Sequence, residues 1–124
     1  MGDVVIDYKK NDHTIIVQKL DEKLRVIAKD KVIAETDSAV VVKESGMDDV
    51  IYYPVRDVNL TYLLESEKTT KCPYKGRADY YHLSVDGKKT ENAVWRYLNP
   101  TLDFLPIKDY VAFDPTSIDK VEKS

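Results

Sequence analysis

Cysteine occurs once in the 124 residues, so no internal disulfide can staple the chain. A structural zinc takes four Cys or His ligands, and Cys72, His13 and His82 are too few to supply them. No metal or cofactor is therefore expected, and the lone thiol points to a reducing compartment, the cytoplasm. Long apolar runs are also missing: none approaches the roughly 20 residues of a membrane span. The opening Met-Gly-Asp-Val-Val-Ile lacks the charged-then-apolar pattern of a signal peptide, so no membrane association is expected. Charge of one sign is not concentrated anywhere. The 19 Lys and Arg against 22 Asp and Glu give a net charge of −3, and lysines alternate with acids, which leaves no basic stripe for a phosphate backbone and argues against nucleic acid as a partner. Phenylalanine is scarce, two residues against nine tyrosines. Rings of that kind must have their hydroxyls bonded or bring them to a wet rim, which favours a pocket or groove.

What is present suits one soluble globular domain spanning residues 1–124, a length that buries roughly 65–70% of the unfolded surface. Residues 14–17, 24–28 and 32–34 are rich in β-branched side chains, and Asp30-Lys31 has the length of a tight turn between the last two. Ala39-Val40-Val41-Val42 reads as a strand buried on both faces, and Lys43-Glu44-Ser45-Gly46 closes it with turn chemistry. Residues 50–53 form a further strand, stopped by Pro54. Behind Asp57, a residue type that caps helices, Val58, Leu60, Leu63 and Leu64 approach helical spacing, and one short helix is expected. The polar run 65–70 then carries the chain out to a loop. Residues 110–113 make a final core strand, with Ile118 and Val121 adding an edge, while residues up to about 12 and beyond 120 are expected to be mobile.

The strongest local signal is the hairpin of residues 77–85 and 88–98 around Asp86-Gly87, which supplies the positive φ angles of a type I′ turn. Counting outward from Val85 opposite Lys88 sets His82 opposite Glu91, Tyr80 opposite Ala93 and Ala78 opposite Trp95. A His–Glu pair would prepare imidazole for acid–base work, or be a plain cross-strand polar contact. Trp95 with Tyr80 and Tyr97 is either a stacking platform for a flat ligand or ordinary core.

Ahead of the hairpin stands Cys72-Pro73-Tyr74-Lys75-Gly76, where proline and glycine fix a defined turn that presents Tyr74 and Lys75. Lys75 could meet a phosphate or carboxylate. Cys72, close to Lys71 and Lys75, is either a nucleophile with a lowered thiol pKa or a small buried anchor for the turn. Tyr52-Tyr53-Pro54-Val55-Arg56-Asp57-Val58, the block from Thr70 through Tyr81, Asn92-Ala93-Val94-Trp95-Arg96-Tyr97 and Ile107 through Phe113 together closely resemble the domain of unknown function 427 family, over about residues 24–121. The resemblance implies a mainly β, compact antiparallel two-sheet domain, β-tent-like, with one or two short helices. Members are sometimes labelled nucleotidyltransferases. The nearest approach here to that activity's Mg²⁺-holding acids is Gly46-Met47-Asp48-Asp49, whose adjacent acids read as solvated charge.

The residues converge on a small-molecule binding domain for a phosphate- or carboxylate-bearing ligand. Its pocket would involve Cys72, Tyr74, Lys75, Tyr80 and Trp95, with Arg56 and Asp57 at the rim. The alternatives are an enzyme using Cys72 as nucleophile or His82 as acid–base group, and a protein-interaction module offering a strand edge near Val40 or Tyr110.

Overall fold

The computed structural model describes residues 2–123, which carry eleven strands, every pairing antiparallel. They are β1 (Val4–Lys10), β2 (His13–Lys19), β3 (Leu24–Ala28), β4 (Lys31–Thr36), β5 (Val40–Glu44), β6 (Val50–Pro54), β7 (Leu63–Cys72), β8 (Gly76–Val85), β9 (Lys88–Pro100), β10 (Tyr110–Phe113) and β11 (Lys120–Lys123). Eight of them form one sheet in the order β1-β2-β5-β6-β10-β9-β8-β7, and β11-β3-β4 form the other. This is the mainly β, two-sheet domain that the family resemblance implies.

Turn chemistry sets the two tightest hairpins. Asp86 and Gly87 have φ of 51° and 77°, the expected type I′ turn. Between β3 and β4 the turn residues are Lys29 and Asp30, with φ of 49° and 64°, one position earlier than the sequence suggests. Farther from the turn, the register shifts between Val26 and Ile27.

The expected helix behind Asp57 does not form. Val55–Asp57 and Leu60–Tyr62 are single 3₁₀ turns, because the chain between them is tied to the small sheet: Val58 bridges Ala34, and the Asn59 N–H donates to the Ile33 carbonyl at 2.8 Å. The polar run after Leu64, expected to carry the chain out to the Cys72 loop, does so as a strand. It lies within β7, the outer strand of the large sheet, where both faces are largely solvated and charged side chains guard the open edge. At the N-terminus β1 pairs with β2 from Val4 to Lys10, so the expected mobility there gives way to an ordered edge strand. The edge anticipated near Val121 is β11, paired with β3.

Two apolar clusters occupy opposite faces of the large sheet. Leu24, Val26 and Ile33 of the small sheet pack against Tyr53, Leu83, Val94, Val111 and Phe113. On the other face Ile15, Val17, Val42, Tyr52 and Tyr97 surround Phe104 and Ile107 from a 3₁₀ segment, Leu102–Ile107. That second face is concave. In a flat sheet the three strands between β5 and β8 would hold them about 19 Å apart, at about 4.8 Å per step, yet side chains from β5 and from the turn before β8 touch. The sheet therefore rolls toward itself, and the trough inside the roll is where the candidate site lies.

Candidate functional site

The turn Pro73-Tyr74-Lys75 is held from three sides. Cys72 Sγ accepts from the Lys75 N–H at 3.4 Å, the Thr101 N–H donates to the Lys75 carbonyl at 3.0 Å, and the Thr101 hydroxyl donates to the Tyr74 carbonyl at 2.7 Å. Gly76 then takes φ of +111° with its Cα pressed against Asn99 and Pro100 of the neighbouring strand, where an added Cβ would meet the Asn99 carbonyl at 3.1 Å. The thiol's visible task is to shape this turn.

So constrained, Lys75 points inward. Its side chain is 8% exposed and its Nζ lies 2.5 Å from Oε1 of Glu44, itself 7% exposed, at the end of β5. The other Glu44 oxygen meets His13 Nε2 at 2.8 Å, and the His13 ring stacks on Tyr74 at 4.3 Å between centroids. Burial works to raise the Glu44 carboxyl, but the hydrogen bonds from Lys75 and His13 outweigh it and hold it below the usual carboxylate range. The lysine expected to wait for an anion thus already has one. Glu44 and His13 are the members of this network that sequence reasoning missed. Glu44 reads as turn chemistry, and only the roll of the sheet brings it to Lys75.

Beside the ion pair lies a cavity of about 190 Å³, walled by Lys75, Glu44, Tyr52, Tyr80, Trp95 and Tyr97, with Met47 and Asp48 also contributing. Met47 is 61% exposed, which places the β5–β6 turn at the mouth. The Trp95 indole N–H donates to the Tyr52 hydroxyl at 3.1 Å across β10. Tyr80 stands opposite Trp95 in the ladder, with ring centroids 6.2 Å apart. Burial pushes the Tyr52 phenol up to about 12 and raises Tyr97 as well, so both rings face the cavity as neutral phenols in any ordinary buffer. Lys75 Nζ sits 5.9 Å from the centre of the Tyr97 ring. Trp95 is shared with a second, apolar cleft of about 200 Å³ bounded by Ile51, Phe113, Ile118 and Val121.

Of the residues singled out from the sequence, Lys75, Tyr80 and Trp95 meet at this cavity. Tyr74 and Cys72 stand behind it, the first bracing His13 and the second the turn. Arg56 and Asp57 are elsewhere. Arg56 borders a separate hollow with Lys19, Asp21 and Tyr110, and Asp57 accepts the Thr36 hydroxyl at 2.7 Å.

His82 is also apart, and the predicted register fails there. Leu83 still faces Thr90, but the next ladder pair is Tyr81 with Val94, so Glu91, Asn92 and Ala93 all bulge opposite His82. Asn92 adopts φ of 54°, and its N–H donates to His82 Nδ1 at 3.0 Å. The His82–Glu91 and Ala78–Trp95 pairings do not form, and Tyr80 moves from Ala93 to Trp95. Because the slip is of two residues, Tyr80 and Trp95 still share a face.

Among the described residues, no three His, Cys, Asp or Glu side chains converge as a metal site would need, and no helix is long and apolar enough to cross a membrane. A family model described as a domain of unknown function, DUF427, matches residues 16–124. No curated protein matches the chain.

Proposed function

The chain belongs to the domain of unknown function 427 family, and we propose that it is a small-molecule binding domain whose ligand sits in the trough cavity against Trp95 and Tyr80. The observation that carries this is the composition of the cavity wall: four aromatic residues beside one buried ion pair. Aromatic faces give a flat ligand large contact at small entropic cost, and the Glu44–Lys75 pair offers both an acceptor and a donor to its polar edge. Lys75 is charge-balanced by Glu44, so a phosphate or carboxylate on the ligand would have to compete for it, and a neutral ring system fits this wall better. The lone Cys72, engaged with the turn, is consistent with work in the reducing cytoplasm, and a net charge of −3 speaks for a small ligand over nucleic acid.

The test is a thermal-shift screen of the full chain against a metabolite library, followed by amide and indole shift mapping of each hit. Hits should displace the Trp95 indole resonance and should lose affinity in Trp95→Phe and Tyr80→Ala. Should every hit bind both variants as tightly as the parent chain, the cavity is not the site.

A further inference from the structure

We propose a second binding site on the opposite face of the large sheet, where Arg96 holds the carboxylate of a small aliphatic amino acid. Arg96 follows Trp95 on β9, so alternation turns it away from the trough. Its side chain is only 17% exposed, and the buried Nε–H has no hydrogen-bond partner among the described residues. The rest of the guanidinium is loosely held. Nη2 donates to the Lys108 carbonyl at 3.4 Å and lies 3.9 Å from Asp109, a carboxylate 84% exposed. The acid directly opposite in the ladder, Asp79, is engaged with Arg77 at 3.1 Å. A buried donor of a charged group is costly to leave unpaired, and such a group in a native fold calls for a partner.

Space for a ligand adjoins the arginine side chain. A cavity of about 200 Å³ is bounded by Arg96, Glu65, Tyr81, Leu60, Leu63 and Val111. The planar guanidinium fork matches a carboxylate, which it binds through two parallel N–H donors. Glu65, contributed by β7, is an acceptor for an ammonium group, and Leu60, Leu63 and Val111 suit an aliphatic body. One anion, one cation and a short apolar chain describe an aliphatic amino acid. No residue of this site belongs to the Trp95 cavity, so either site can fail without the other.

The experiment follows the arginine Nε–Hε resonances of the full chain during titration with L-valine, isovalerate and isobutylamine, which carry both charged groups, the carboxylate alone and the amine alone. Arg25, Arg56, Arg77 and Arg96 are the arginines to be resolved. L-valine should give a saturable shift confined to Arg96, isovalerate the same shift about two- to fivefold weaker, the scale of an exposed ion pair, and isobutylamine none. Glu65→Gln, at an exposed position, should erase the preference for L-valine over isovalerate, and Arg96→Lys, checked for folding by its amide spectrum, should lose both. If Arg96 Nε–Hε shows no saturable shift with either carboxylate, or if Glu65→Gln keeps the preference, the proposal is overturned.

Discussion

Glu44 on β5 and Lys75 in the β7–β8 turn form a hydrogen-bonded ion pair across a gap that three intervening strands would keep open in a flat sheet. The pair therefore acts as a clasp on the roll of the sheet, and the trough cavity is its neighbour. Two side chains under one-tenth exposed have lost most of their hydration, so their mutual attraction and the bond from His13 must compensate for it.

Removing one partner should accordingly cost more than removing both. Lys75→Met leaves the Glu44 carboxylate with His13 alone, and Glu44→Leu leaves an ammonium buried without an acceptor. Each should lower unfolding free energy by about 3–5 kcal/mol. The combined Glu44→Leu, Lys75→Met variant should lose markedly less than the sum. Urea denaturation of the four proteins measures the coupling, and single losses below about 1 kcal/mol would mean that the clasp does not hold the fold.

Acid should open the same clasp. The Glu44 carboxyl is held below its ordinary value, so over the acid range the unfolded chain binds more protons at this position than the folded one. Its contribution is complete above the unfolded value, about 4.3, and is lost as pH falls through the depressed folded value. Stability measured by urea at a series of pH values should drop below about pH 5, and Glu44→Gln should start lower and flatten that drop. Parallel curves for the two proteins would contradict the assignment.

How far these features were legible depended on how local their causes are. The β8–β9 hairpin is written in Asp86-Gly87, and β5 in a run of valines, because turn chemistry and burial act within a few residues. β7 was hidden: an outer strand wet on both faces shows no alternation, so Glu65 through Thr70 read only as a polar run leading out to the Cys72 loop. The clasp was hidden for a different reason. Glu44 and Lys75 are 31 positions apart, and nothing short of the sheet's curvature brings them together. Of the bulge there was one trace, Asn92, since asparagine tolerates the left-handed backbone better than most residues.

His82 serves that bulge. Its Nδ1 accepts the Asn92 N–H, which fixes the ring proton on Nε2. Long-range ¹⁵N spectra should show that tautomer in the neutral protein, with ring contacts to Asn92. His82→Ala should cost about 0.5–1.5 kcal/mol, the worth of one such bond. A ring proton on Nδ1 would contradict the arrangement.

Gly76 offers the sharpest contrast when set beside a second glycine of positive φ. Gly76 and Gly87 both have positive φ, 111° and 77°, so alanine is strained at either. At Gly87 the added methyl meets nothing within 4 Å, and Gly87→Ala should cost about 1 kcal/mol. At Gly76 the methyl would press on Asn99 and Pro100 backbone atoms at 3.1 and 3.3 Å, which cannot move without disturbing β9. Gly76→Ala should therefore cost more than Gly87→Ala and, by shifting the turn that aims Lys75, displace the amide resonances of Glu44 and His13. Equal losses in thermal denaturation, with those resonances unmoved, would mean that the turn does not position the clasp.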